Sequence, residues 1–213
     1  SLAIIEYIAE RYPEKKLWPD DAAARAHARS ACAEMHSGFV ALRSECGMNL
    51  HRPVRPVALS ADAKANVARI EEIWRECRAR HGANGPFLFG RFGAADAMYA
   101  PVVHRFRTYA IDVAPDTKAY METMMALPAF QEWTRDGLAE TLVIFMGLTT
   151  FDRIAAELIA KGRAADTPAM AVRWATRPDQ ETLVGTLATL PALIHERGLK
   201  PPATILVGEV VRL

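Results

Sequence analysis

The chain is poor in the features that announce chemistry. It holds three cysteines, Cys32, Cys46 and Cys77. Their number is odd and their spacing is not that of metal ligands, so neither a disulfide framework nor a metal site is expected; they read as free thiols in a reducing cytoplasm. No apolar run approaches the roughly 18 residues of a membrane helix, and no charged leader with a cleavage site opens the chain. Excess charge is also lacking. Residues 1–140 carry 18 basic and 18 acidic side chains, residues 141–213 carry 8 and 7, and the net charge is +1. That balance excludes the basic surface of a nucleic-acid binder. The glycine-rich, P-loop, HExxH, CxxC and GxSxG motifs are absent, as are internal repeats and low-complexity tracts.

What is present is an ordinary globular composition, 51% hydrophobic and 24% charged over 213 residues, enough for one large domain or two modest ones. The chain opens at Ser1 without a methionine and already in helical pattern, so an upstream segment is expected. "SLAIIEYIAERYP" places Leu2, Ile4, Ile5, Ile8 and Tyr12 on one stripe, with Ser1 at the N-cap and Pro13 past the end. Ala22 to about Gly47 reads as one long helix that Asp20 or Asp21 can cap. Pro53 and Pro56 break helix. Ser60 then caps a helix with Val67, Ile70, Trp74 and Cys77 on one face, ending at Gly82. The loop "GANGPFLFGRFGAAD" leads into a helix over 94–110 in which Pro101 costs a backbone hydrogen bond, and helices follow over 116–126 and 129–139.

At "DGLAETLVIFMGLTT" the period changes. "TLVIFMG" is an apolar run of strand length, and "FDRIAAELIAKG" is a helix with Gly162 at its C-terminus. "AMAVRWA" and "TLVGTL" read as strands, "ATLPALIHERG" as a helix interrupted by Pro191, and "ATILVGEVVRL" as a terminal strand.

Candidate chemistry is thin. His27 and His36 lie nine apart on the long helix, too far to share a metal, and nothing in the spacing pairs the six histidines with further ligands. Met121, Met124 and Met125 fit core filling. Asp96, three residues after Gly93, has the position of a capping-box acceptor, a folding role. No catalytic constellation is visible, and the catalytic residues stay unknown.

Residues 1–140 resemble the glutathione transferase family. "SLAIIEYIAERYP" with "LWP" resembles the last helix of a thioredoxin-like domain and its linker (1–13), and residues 14–140 the helical domain. "PFLFGRFGAADAMYAPVVHRF", with its aspartate at Asp96, and "LPAFQEWTRDGLAE" carry the rest of the likeness. Gly93 departs from the Ser or Thr usual there. The resemblance implies glutathione as co-substrate, held by Ser1 at the helix start, where a hydroxyl and free N–H groups suit a carboxylate. It also implies an electrophile pocket lined by Met35, Phe39 and Arg43.

Residues 141–213 resemble uroporphyrinogen-III C-methyltransferase, a tetrapyrrole methylase, through "TLVIFMGL", "LIAKGRAADTPAMAVRWATRPDQETLVGTLATL" and "PPATILVGEVVRL". That resemblance implies S-adenosylmethionine as cofactor, with Met146, Ala175 and Thr186 bordering its adenosine. The residues alone read as strand-end packing.

The expected fold is therefore an all-α glutathione-transferase C-terminal bundle followed by an incomplete α/β methylase lobe, each acting on small molecules. Three readings stay open: attack of glutathione thiolate on an electrophile, methylation of uroporphyrinogen III towards sirohaem or cobalamin, and a fusion remnant with only a binding or homodimer role. The chain is expected to be inactive alone, and residues 141–213 to be the less stable part unless they dimerise or pack on the helices.

Overall fold

The computed structural model describes residues 2–212, and the chain divides into two compact units. The first comprises residues up to 49 and 54–132; the second comprises 50–53 and 133 onward, the division falling within a helix.

The first unit is helical: α1 (Leu2–Arg11), α2 (Ala22–Ser37), α3 (Val40–Glu45), α4 (Ala61–His81), α5 (Ala94–Thr108), α6 (Pro115–Ala126) and the start of α7 (Pro128–Ala139). Local chemistry sets the starts. The Asp21 carboxylate accepts from Ala24 N–H at 2.8 Å, and the Ser60 hydroxyl from Ala63 N–H at 3.1 Å, each satisfying a donor that has no intrahelical partner. The face of α4 read from the sequence is buried, with Ile73 added. Trp74 is the hub, its ring 5.6 Å from Tyr99, 5.6 Å from Phe106 and 4.7 Å from Tyr120. Met121 and Met124 are buried in the same core.

The long helix expected over 22–47 is two. Gly38 closes α2, donating to Glu34 O at 2.8 Å, and a Cβ there would meet that oxygen at 2.7 Å. Phe39 then adopts φ 60° and the chain restarts as α3. Apolar periodicity continues through such a break, because both pieces face one core.

The second unit carries β1 (Leu142–Phe145), α8 (Phe151–Ala160), β2 (Pro168–Arg173), β3 (Glu181–Thr186), α9 (Leu190–Arg197) and β4 (Ala203–Val207). The sheet order is β1-β4-β2-β3, with every neighbouring pair antiparallel. β1 and β2 therefore run the same way with β4 slotted between them, and β3 and β4 run the same way with β2 between. These are two interlocked split β-α-β units. Two crossovers of the usual right-handed kind, running in opposite directions across such a sheet, place both helices on one face. Accordingly Phe151, Ala155, Leu190 and Ile194 share a core with Ala169, Ala171, Ile205 and Val207. The opposite face presents the row Val143–Leu206–Met170–Val184, none of which belongs to that core.

Two sequence expectations need correction. Pro191 sits in the first turn of α9 and so starts the helix, because its missing N–H has no intrahelical role there. The terminal strand stops at Val207; Gly208 takes φ 141°, and a 3-10 turn follows over Glu209–Arg212.

Candidate functional site

In the second unit the strand ends carry the unusual backbone. β1 ends at Phe145, and Met146 takes φ 54° with its side chain 92% exposed. The turn is forced by the residues next in the chain, since Leu148 and Phe151 must enter the core. A left-handed conformation at a residue with a Cβ costs roughly 1–2 kcal/mol, and such residues concentrate at binding sites. The end of β2 does the same twice: Trp174 takes φ 52° and Thr176 φ 68°, with Ala175 exposed between them. Arg177 N–H donates to Trp174 O at 3.1 Å and Thr176 N–H to the Gln180 side chain at 2.8 Å. The Arg173 guanidinium lies 3.6 Å from the Trp174 ring centroid and Arg177 5.2 Å, clasping the indole through cation–π contacts.

The register decides which predicted residues meet. Phe145 is beside Thr204, which is beside Val172, so Met146 and Ala175 leave the sheet at the same end with β4 between them. Thr186 pairs with Pro168 at the other end. Its hydroxyl is engaged locally, 3.1 Å from the Thr189 hydroxyl and accepting from Thr189 N–H at 3.3 Å. Met146 and Ala175 thus place an exposed thioether and a small exposed residue at one end of the sheet. Thr186 does not join them, because the β2–β3 hairpin carries it back along the sheet.

In the helical unit Ser1 lies outside the described residues. Met35 and Phe39 are each only 7% exposed, packed into the core. Arg43 is exposed and donates to His36 O at 3.1 Å and Gly38 O at 3.4 Å, spanning the break between α2 and α3. The structure thus places Met35 and Phe39 in the core and Arg43 across the α2–α3 break. A small cleft of this unit lies elsewhere, against Leu17, Trp18, Phe89, Arg91 and Gly93.

Beside that cleft the Asp96 carboxylate is fully buried, accepting from Leu88 N–H at 3.1 Å, Gly93 N–H at 3.0 Å and the Tyr120 hydroxyl at 2.9 Å. Burial pushes its pKa up, and those three donors pull against the rise. A Cβ on Gly93 would sit 2.9 Å from Leu17 O, which gives a steric reason for glycine where Ser or Thr is usual. All three cysteines are buried and outside any disulfide, and burial pushes the Cys32 and Cys77 thiols up to about 12. They are poor nucleophiles. Among the described residues no group of three or more His, Cys, Asp or Glu is arranged to hold a metal ion, and no helix is long and apolar enough to cross a membrane.

The helical unit is a bundle with a buried N-capping aspartate, and the second unit an antiparallel sheet with left-handed strand ends. The chain belongs to the glutathione S-transferase family through its C-terminal domain, whose family model matches residues 22–136, and the tetrapyrrole (corrin/porphyrin) methylase model matches residues 92–191. The matches share residues 92–136, where the structure forms α5, α6 and most of α7. Curated relatives include siroheme synthases from Chromobacterium violaceum, 40% identical over 60% of this chain and 26% of the relative, and Thiobacillus denitrificans, 40% identical over 67% and 29%. The siroheme synthase of Nitrosomonas eutropha is 49% identical over 74 residues, 35% of this chain and 16% of the relative. The chain thus spans less than a third of the length of these relatives. Solved structures with partial likeness include a uroporphyrin III C-methyltransferase from Thermus thermophilus, at 33% identity and TM-score 0.31 over 34% of this chain and 31% of that one. A cobalt precorrin-4 methyltransferase shows 29% identity and TM-score 0.33 over 34% and 30%.

Proposed function

We propose that the second unit serves S-adenosylmethionine-dependent methylation of uroporphyrinogen III, binding the cofactor at the sheet end that carries Met146 and Ala175. The observation that carries this reading is the 40–49% identity to siroheme synthases. The shared position of Met146 and Ala175 at one end of the sheet agrees with it. The cofactor supplies an electrophilic methyl on its sulfonium. The chain's part is to seat the adenosine: the Met146 side chain offers polarisable apolar contact, and Ala175 leaves room for close approach to backbone. With one end of one sheet to offer, the chain is proposed to bind cofactor without completing turnover on its own. Glutathione conjugation is the second reading, favoured by the family of the helical domain.

Calorimetry with S-adenosylhomocysteine tests the first reading. One equivalent should bind, Ala175→Leu should weaken it at least tenfold, and Thr186→Val at the opposite sheet end should leave it unchanged. A flat titration at high protein concentration would sink the proposal. Retention on immobilised glutathione, with thiol transfer to a generic electrophile, would favour the second reading.

A further inference from the structure

The helical unit contains a contact that 54 residues of sequence separation conceal. His27 on α2 and His81, the last residue of α4, face each other with Nδ1 of His27 3.2 Å from Nε2 of His81. Their ring centroids are 5.3 Å apart and the planes are inclined by 68°. Two nitrogens bonded to one zinc ion at about 2.0–2.1 Å in tetrahedral geometry stand roughly 3.3 Å apart. The observed separation, which as it stands is that of an N–H···N contact between the rings, also fits a bidentate pair once a cation replaces the shared proton.

Three further features fit a cation at that point. Each ring is held: Phe89 stacks on His81 at 5.3 Å and meets His27 edge-on at 5.8 Å. The other nitrogen of His27, Nε2, lies 3.9 Å from Cys77 Sγ, an outer contact that orients the ring, and in the tautomer with Nε2–H facing the sulfur Nδ1 is the lone-pair donor. The field is also permissive. His81 is at the C-terminal end of α4, where the helix dipole favours positive charge, and the nearby charges Glu76 and Arg80 pair with each other at 2.7 Å.

We propose that His27 and His81 form a two-histidine site for a borderline divalent cation of the zinc class, with water completing the coordination and Cys77 positioning His27. This site is independent of any cofactor bound by the second unit.

Titrating the full chain, freed of metal by chelation, with Zn(II) in a calorimeter tests it. One equivalent should bind and raise the Tm of the helical unit, and His27→Gln or His81→Gln should each weaken binding at least tenfold and abolish the Tm shift. Binding that persists unchanged in the double variant, or no saturable binding by the wild type, overturns the proposal. Should the variants fold poorly, electron paramagnetic resonance of the wild type with one equivalent of Cu(II) decides. Hyperfine structure from two imidazole nitrogens supports the site, and one nitrogen or none refutes it.

Discussion

His104 shows how burial makes a residue pH-sensitive. It is 2% exposed on α5, its ring stacked on Phe130 at 4.6 Å. Burial, with Arg107 adding to it, pushes its pKa down to about 4 from an ordinary value of 6.5. The folded state therefore keeps His104 neutral while the unfolded chain takes up a proton below pH 6.5. Its contribution to stability is whole above that pH and is lost as pH falls from 6.5 towards 4, with a slope of at most about 1.4 kcal/mol per pH unit. Urea unfolding across that window should show the decline, and His104→Gln should flatten it. An unchanged slope in the variant would assign the acid sensitivity to other groups. Asp96 makes the complementary point: a buried carboxylate persists because three donors converge on it.

Among elements, the end of α8 depends most on one residue. Gly162 takes φ 107°, and a Cβ there would fall 1.7 Å from His51 O, so residues 50–53 pass directly over it within the second unit. Gly162→Ala should cost that unit about 2–4 kcal/mol, from backbone strain and displacement of the passing segment. A loss below about 1 kcal/mol in denaturant unfolding would mean the segment does not pass so close.

Much at this scale was legible. Asp21, Ser60 and Gly162 announced helix ends, and the apolar stripe of α4 announced its buried face. The break at Gly38 was not, because both sides of it keep the same periodicity. Strand identity was readable from apolar runs, but the order β1-β4-β2-β3 was not, since pairing partners leave no local mark. The site obeyed the same rule. Met146 and Ala175 were named through resemblance alone, and their shared end of the sheet needed the register. Met35 on α2 and Phe39 in the break after it both turn into the core. The facing of His27 and His81 is a product of tertiary packing alone.

At the scale of the whole molecule the two units differ in how they are held. The helical unit centres on large aromatic side chains, Trp74, Tyr99, Phe106 and Tyr120. The core of the second unit is built of Leu, Ile, Val, Ala and one Phe, and only one face of its sheet takes part. On the other face Val143 is 50% exposed, Phe145 71% and Val184 59%. The second unit should therefore open first. Limited proteolysis should degrade residues beyond about 140 while a helical fragment survives. Early loss of the helical fragment would contradict this ordering.

The place of β1 in the sheet also sets a timetable. β1 is an edge strand whose one neighbour is β4, some sixty residues further along the chain. On a ribosome adding about 5–20 residues per second, Leu142–Phe145 must wait several seconds for Thr204–Val207 to be made. The helices before it have already been made and can fold meanwhile. The waiting stretch, Thr141–Gly147, contains no charge and no proline, so nothing in it discourages pairing with another strand. The interval between synthesis of β1 and of β4 is when this chain is most exposed to misassembly.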